Sequence, residues 1–126
     1  MTSPYKNFEE LAQQEVEGKD YQIKFRLRDE RALIMAPHGG KIEPTTTMIA
    51  EAIAGGNYSC YSFEGLKEEG NGVLHIESHL FDEPQALQAV KKADVVITAL
   101  WSRRPGCLLP TPCRAPRGYL CFLRSL

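Results

Sequence analysis

The chain has 126 residues, 43% hydrophobic and 25% charged, with a formal net charge of −1. That is the length of one domain with its own core and the composition of an ordinary soluble globular protein. The near-neutral charge argues against nucleic acid or anionic membrane as a partner, and no run of about 18 apolar residues offers a transmembrane helix. Met1-Thr2-Ser3-Pro4-Tyr5-Lys6 leads into Asn7-Phe8-Glu9-Glu10 without an apolar segment, so no signal peptide is expected and the expected location is the cytoplasm.

In chain order, residues 5–17 read as an amphipathic helix with Phe8, Leu11, Ala12 and Val16 on one face and Gly18 as its stop. From Tyr21 to Arg28, Ile23, Phe25 and Leu27 alternate with Lys24, Arg26 and Arg28, a strand with one buried face. A polar turn at 28–31 leads to Ala32-Leu33-Ile34-Met35-Ala36, apolar throughout, as in a strand covered on both sides. A glycine-flanked loop carrying His38 and Glu43 follows. Then Met48, Ile49, Ala52 and Ile53 mark a helix that starts among Thr45–Thr47 and ends at Gly55-Gly56.

Tyr58 to Phe63 is the next strand, Asn71-Gly72 a turn signal, and Val73 to Leu80 an extended stretch. Asp82-Glu83-Pro84-Gln85 reads as a helix start with Asp82 as N-cap, and Leu87, Val90 and Ala93 form that helix's apolar side. Asp94 to Leu100 is the last clear strand. The alternation predicts an α/β fold of three layers, a mostly parallel or mixed central sheet with flanking helices. Ligands of such sheets sit beyond the carboxyl ends of the strands, where His38 and Trp101 stand.

Composition breaks at Trp101. All 16 acidic residues lie in 1–100, and against ten basic ones they leave that part at −6. Residues 101–126 hold no Asp, Glu or Lys, but five arginines, four of the eight prolines and three of the four cysteines. Such a tail suits a basic, extended interaction segment. The spacing of Cys107 and Cys113 lacks the short pairing of zinc motifs. An acid-free text beginning in mid-strand also fits a reading-frame change.

The best constellation is His38 with Glu43, five residues apart on a turn, since zinc takes imidazole nitrogen and carboxylate oxygen together. Two ligands do not define a site, and a glycine turn beside a glutamate favoured by the helix dipole would look the same. A phosphate loop is a weaker reading because the fuller glycine pattern is missing. His75, Glu77 and His79 alternate, so on a strand they would share one face. His75, anchored between Leu74 and Ile76, is the one of these with a possible role at the site. Cys60 reads as a small buried hydrophobe, and Ser59 and Ser62 have no histidine at a telling spacing.

The runs Ala36-Pro37-His38-Gly39-Gly40-Lys41-Ile42-Glu43-Pro44, Ala52-Ile53-Ala54-Gly55, Tyr61-Ser62-Phe63-Glu64-Gly65-Leu66-Lys67, Leu74-His75-Ile76 and Phe81-Asp82-Glu83-Pro84 stand in order between about Tyr5 and Leu100. Together they resemble the phage-related poly-γ-glutamate hydrolases. The resemblance implies a zinc-carboxypeptidase-like fold, one zinc ion and cleavage of γ-glutamyl amide bonds. It makes His38 and Glu43 two metal ligands, and Lys41 and His75 contacts for an anionic peptide substrate. The family's third ligand is a histidine in a His-Gly pair after the strand matching Val95 to Leu100, where this sequence has Trp101-Ser102. The family's later glutamate, suited to general-base work, has no counterpart here, so no catalytic residue is assigned. Thr45-Thr46-Thr47-Met48 stands where the family tends to Gly-Thr-Ser-Glu.

The expectation is therefore a first unit, 1–100, from a zinc hydrolase cut short on its C-terminal side, and an atypical tail, 101–126. Hydrolysis is expected to be absent or impaired. Two other readings remain: a non-enzymatic remnant whose exposed sheet edge promotes self-association or is covered by the tail, and an interaction module using the basic tail for an acidic partner.

Overall fold

The two continuously apolar runs become the inner strands of one sheet, because a strand buried on both faces needs no polar alternation. The computed structural model describes residues 3–77, 80–102 and 118–125, with Glu30 and everything from Trp101 onward described by backbone alone. The strands are β1 (Tyr21–Arg26), β2 (Asp29–Gly40), β3 (Tyr58–Gly65), β4 (Val95–Ser102) and β5 (Gly118–Ser125), in spatial order β1-β3-β2-β4-β5. β2 runs parallel to both β3 and β4, whereas β1 pairs antiparallel with β3. These four make a mixed sheet. β5, within the compositionally foreign tail, pairs antiparallel along β4 from Val95↔Ser125 to Ser102↔Gly118 and covers its outer edge.

Helix α2 (Thr46–Ala54) packs on one face, where Ile34, Ala36, Ala50, Ala54, Cys60 and Ala99 are buried together. α1 (Phe8–Gln14) and α3 (Pro84–Lys92) cover the other, over Leu33, Met35, Tyr61 and Phe63. Odd and even residues of β2 thus feed opposite cores, as the pleat requires. Tyr21 stacks on Phe63 at 5.1 Å between ring centroids, and Phe8 meets both rings edge-on. Burial pushes the Cys60 thiol up, in keeping with its reading as a small buried hydrophobe.

Several local expectations are corrected. α1 is shorter than 5–17, because Asn7 caps it by accepting from the Glu10 N–H; Ala12 and Val16 are exposed. Phe25 and Leu27 are also exposed, beside a shallow groove shared with Gln85, Gln88 and Lys92. α2 buries Ala50 and Ala54, and α3 buries Ala86 with Ala93 just past its end, leaving Met48 and Leu87 outside. Small side chains let a helix lie close on a sheet, so alanine outcompetes longer residues for those positions.

The stretch 73–80 is not an extended strand. A 3₁₀ turn spans Asn71–Leu74, entered through Gly70 at φ 80°, and Asn71 closes it by bonding both the N–H and the carbonyl of Lys67. The shared face inferred for His75, Glu77 and His79 therefore has no strand to carry it; His79 lies outside the described residues. α3 is capped by Glu83, not Asp82, since the Asp82 carboxylate accepts from the distant Phe8 N–H.

Candidate metal centre

β2 does not stop at Ala36 but runs through His38 to Gly40, so the histidine sits on the strand's end and not in a loop. Between Ala36 and Gly39 the register slips: Ala36 pairs with Ser62 and Gly39 with Glu64, three steps on β2 against two on β3. This bulge turns the His38 side chain to the α1/α3 side of the sheet. A Cβ on Gly39 would lie 2.3 Å from Thr47 Oγ1 and 2.7 Å from Ser62 Oγ, which explains glycine there. The Thr47 hydroxyl accepts from the Gly40 N–H at 3.0 Å.

The turn after β2 is closed by the Glu43 N–H donating to the His38 carbonyl at 2.9 Å. The Thr46 hydroxyl reaches the His38 and Glu43 carbonyls at 3.1 and 2.9 Å. The threonines expected at the helix start thus brace the site turn. Thr45, the N-cap, makes no side-chain capping bond and has φ 80°. A β-branched residue in the left-handed region is strained by roughly 1–2 kcal/mol, and glycine is not. Thr45→Gly is expected to stabilise the protein by about 1 kcal/mol, read as a higher urea midpoint; an unchanged midpoint would show that the turn carries no strain.

His38 and Glu43 are buried, 2% and 8% exposed, and His75 joins them from the end of the 3₁₀ turn. Nδ1 of His38 faces Glu43 Oε1 at 3.3 Å, and Nε2 of His75 faces Glu43 Oε2 at 3.0 Å. The two imidazoles stack with centroids 3.8 Å apart and planes 19° apart. One donor atom from each residue lies within 4.8 Å of the others, a grouping able to hold a metal ion. Bonds of about 2.0–2.1 Å to a tetrahedral zinc place neighbouring ligand atoms roughly 3.3 Å apart, close to the 3.3 and 3.0 Å of the two imidazole–carboxylate contacts.

Hydrogen bonding supports the same fit. Nε2 of His38 contacts the Ile76 carbonyl, which can only accept, so that nitrogen carries the proton. Nδ1 then faces a carboxylate oxygen, an approach that either a shared proton or a metal ion would join. A metal-bound histidine typically donates its other N–H to a carbonyl, as His38 does to Ile76. Nδ1 of His75 is buried with no hydrogen-bond partner among the described residues.

The remaining sequence candidates lie apart. Lys41 is exposed and pairs with Glu68 at 3.8 Å, Glu77 is exposed, and the Trp101 side chain lies outside the described residues. The sequence reading did not foresee the Ile76 carbonyl or the Thr46 hydroxyl, because neither residue type signals a metal site. Nor did it foresee a buried polar pair in the core, where the Tyr61 hydroxyl donates to Glu83 Oε2 at 2.6 Å. Burial, then this bond, pushes the Tyr61 hydroxyl far above its usual range.

The family model for poly-gamma-glutamate hydrolase matches residues 5–101. Among curated proteins of Bacillus subtilis (strain 168), the SPbeta prophage-derived UPF0714 protein YoqZ is 47% identical over 94 residues, 75% of this chain and 34% of the relative. UPF0714 protein YndL is 44% identical over 94 residues, 75% of this chain and 36% of the relative. The chain therefore spans about a third of the length of the curated relatives it matches. A solved bacteriophage poly-gamma-glutamate hydrolase superimposes with a TM-score of 0.73 at 33% identity, covering 77% of this chain and 47% of that one. A zinc-free apo form of YndL does so at 0.71 and 37% identity, covering 81% and 55%. Among the described residues, no helix is long and apolar enough to cross a membrane.

Proposed function

The chain belongs to the poly-gamma-glutamate hydrolase family, and from that premise we propose that it carries the metal-binding part of a zinc-dependent hydrolase of γ-glutamyl amide bonds, impaired in hydrolysis as it stands. His38 and Glu43 hold one zinc, with His75 as a substitute third donor in place of the histidine that the resemblance puts at position 101, and the architecture is that of the zinc carboxypeptidases. The observation that carries this reading is the convergence of two imidazoles on the two oxygens of one buried carboxylate. A zinc held there would lower the pKa of its bound water to near 7 and polarise an amide carbonyl.

The chain's own residues orient and bind. The Ile76 carbonyl fixes the His38 tautomer, and the Thr46 hydroxyl braces the turn between His38 and Glu43. Lys41, exposed and paired with Glu68, is the basic group that would attract the carboxylates of an anionic peptide. Impairment rests on position 101, where the resemblance puts a histidine. The indole of Trp101 offers an N–H donor and no lone pair for a metal. On the same reading the 101–126 tail does not belong to the hydrolase pattern.

Calorimetric titration with zinc, alongside a γ-polyglutamate cleavage assay on the same preparation, tests both halves. One zinc per chain with no measurable release of γ-glutamyl fragments is expected. Absence of zinc binding would remove the metal assignment, and release at the rate of a full-length relative would remove the impairment.

A further inference from the structure

We propose that the segment Ser3–Phe8 is a strap that holds His75 in its metal-ready pose, with Ser3 as the positioning residue; this rests on the zinc reading above. His75 belongs to no strand or helix. It follows the 3₁₀ turn with φ −84° and ψ 75°, so no ladder of backbone bonds fixes it. What reaches it from outside is the strap: the Ser3 N–H donates to the His75 carbonyl at 3.1 Å, and the Ser3 hydroxyl donates to the Val73 carbonyl. The same hydroxyl oxygen accepts from the Tyr5 N–H at 3.1 Å, which orders Ser3 itself.

The strap is anchored at its other end too. The Phe8 N–H donates to Asp82 Oδ1 at 2.8 Å, so one short segment pins the 73–82 stretch both before and after His75. The Tyr5 hydroxyl donates to Glu15 Oε1 at 2.7 Å, and Glu15 is also held by Lys67 at 2.8 Å, tying the strap to the body of the fold. Both histidines of the site depend on this stretch, since His38 leans on the Ile76 carbonyl and His75 on Glu43. Ser3 itself bonds Val73 and His75 and not Ile76, so loosening its end of the strap frees the His75 donor and leaves the His38 bond to Ile76 in place.

Ser3→Ala removes the hydroxyl that organises the strap and keeps the backbone bond to His75. It is expected to weaken zinc binding about 3- to 10-fold, the scale of a neutral hydrogen bond, and Ser3→Thr is expected to restore it to about the native value. In a His75→Ala background, Ser3→Ala is expected to change zinc affinity no further, because a positioning residue acts only through the group it positions. The second measurement uses the metal-free protein: ring signals of His75 in NMR spectra are expected to shift in Ser3→Ala while those of Tyr61 and Phe63 stay in place. Unmoved His75 signals, or an equal affinity loss with and without His75, would overturn the strap. A native chain that binds no zinc, yet whose His75 signals move in Ser3→Ala, would sink the zinc reading and leave the strap standing.

Discussion

His38→Gln is expected to reduce zinc affinity by more than about 100-fold. Loss of an outer partner of a metal ligand alone costs about 10–100-fold, and His38 supplies both a donor atom and its own bond to the Ile76 carbonyl. Glutamine keeps a polar chain of similar bulk in a position that is 2% exposed, so the effect on metal binding separates from a packing defect. Calorimetry gives the affinity, and urea unfolding of the metal-free protein shows whether the fold is intact. Zinc binding within a few-fold of native would move the metal away from His38 altogether.

Glu83→Ala is expected to cost about 3 kcal/mol of stability. Glu83 is 2% exposed and does two jobs with one carboxylate. It accepts from the N–H groups of Gln85 and Ala86, both at 3.0 Å, capping α3, which is worth about 1 kcal/mol. It also accepts from the Tyr61 hydroxyl, which is buried in the core and would be left without a partner at a cost of about 1–3 kcal/mol. Against a typical total of about 5–15 kcal/mol this is a large fraction. Pairing Glu83→Ala with Tyr61→Phe is expected to recover part of the loss, because removing both partners leaves no orphaned hydroxyl. Urea midpoints of the two single variants and the double variant measure this; strict additivity would show that the pair is not coupled.

The sequence made the sheet legible where the physics is local. The apolar runs at 32–36 and 94–100 read directly as doubly covered strands, whereas the alternation after Tyr21 misled, since burial along β1 fades toward Arg26 and leaves Phe25 exposed. His38 and Glu43 were visible as a pair because five residues on a glycine turn bring them together without help from elsewhere. What stayed hidden depends on contacts far apart in the chain. Asp82 has the better local signature for a helix cap, but a backbone N–H 74 residues earlier claims its carboxylate, and Glu83 takes the role. Val73-Leu74-His75-Ile76 alternates like a strand, yet Gly70 in the left-handed region and the two bonds from Asn71 to Lys67 wind it into a turn. That winding carries His75 to Glu43, a meeting across 32 residues that no spacing rule expresses. Thr45 shows the opposite case: its departure from the family's glycine was readable in the sequence, while its physical cost became clear only with its φ of 80°.

The slip between Ala36 and Gly39 has a consequence for how this site can change over evolutionary time. A strand counts in twos, and one supernumerary residue reverses the parity of everything downstream. His38 reaches His75 and Ile76 only because that count is odd. Point substitutions in β2 leave the parity untouched, so they can weaken the centre but cannot relocate it. Loss of the Pro37 codon would send the imidazole through the sheet toward α2, among Ala50, Ala54 and Cys60. The position of the centre is therefore insensitive to substitution in β2 and sensitive to any change in length just ahead of it.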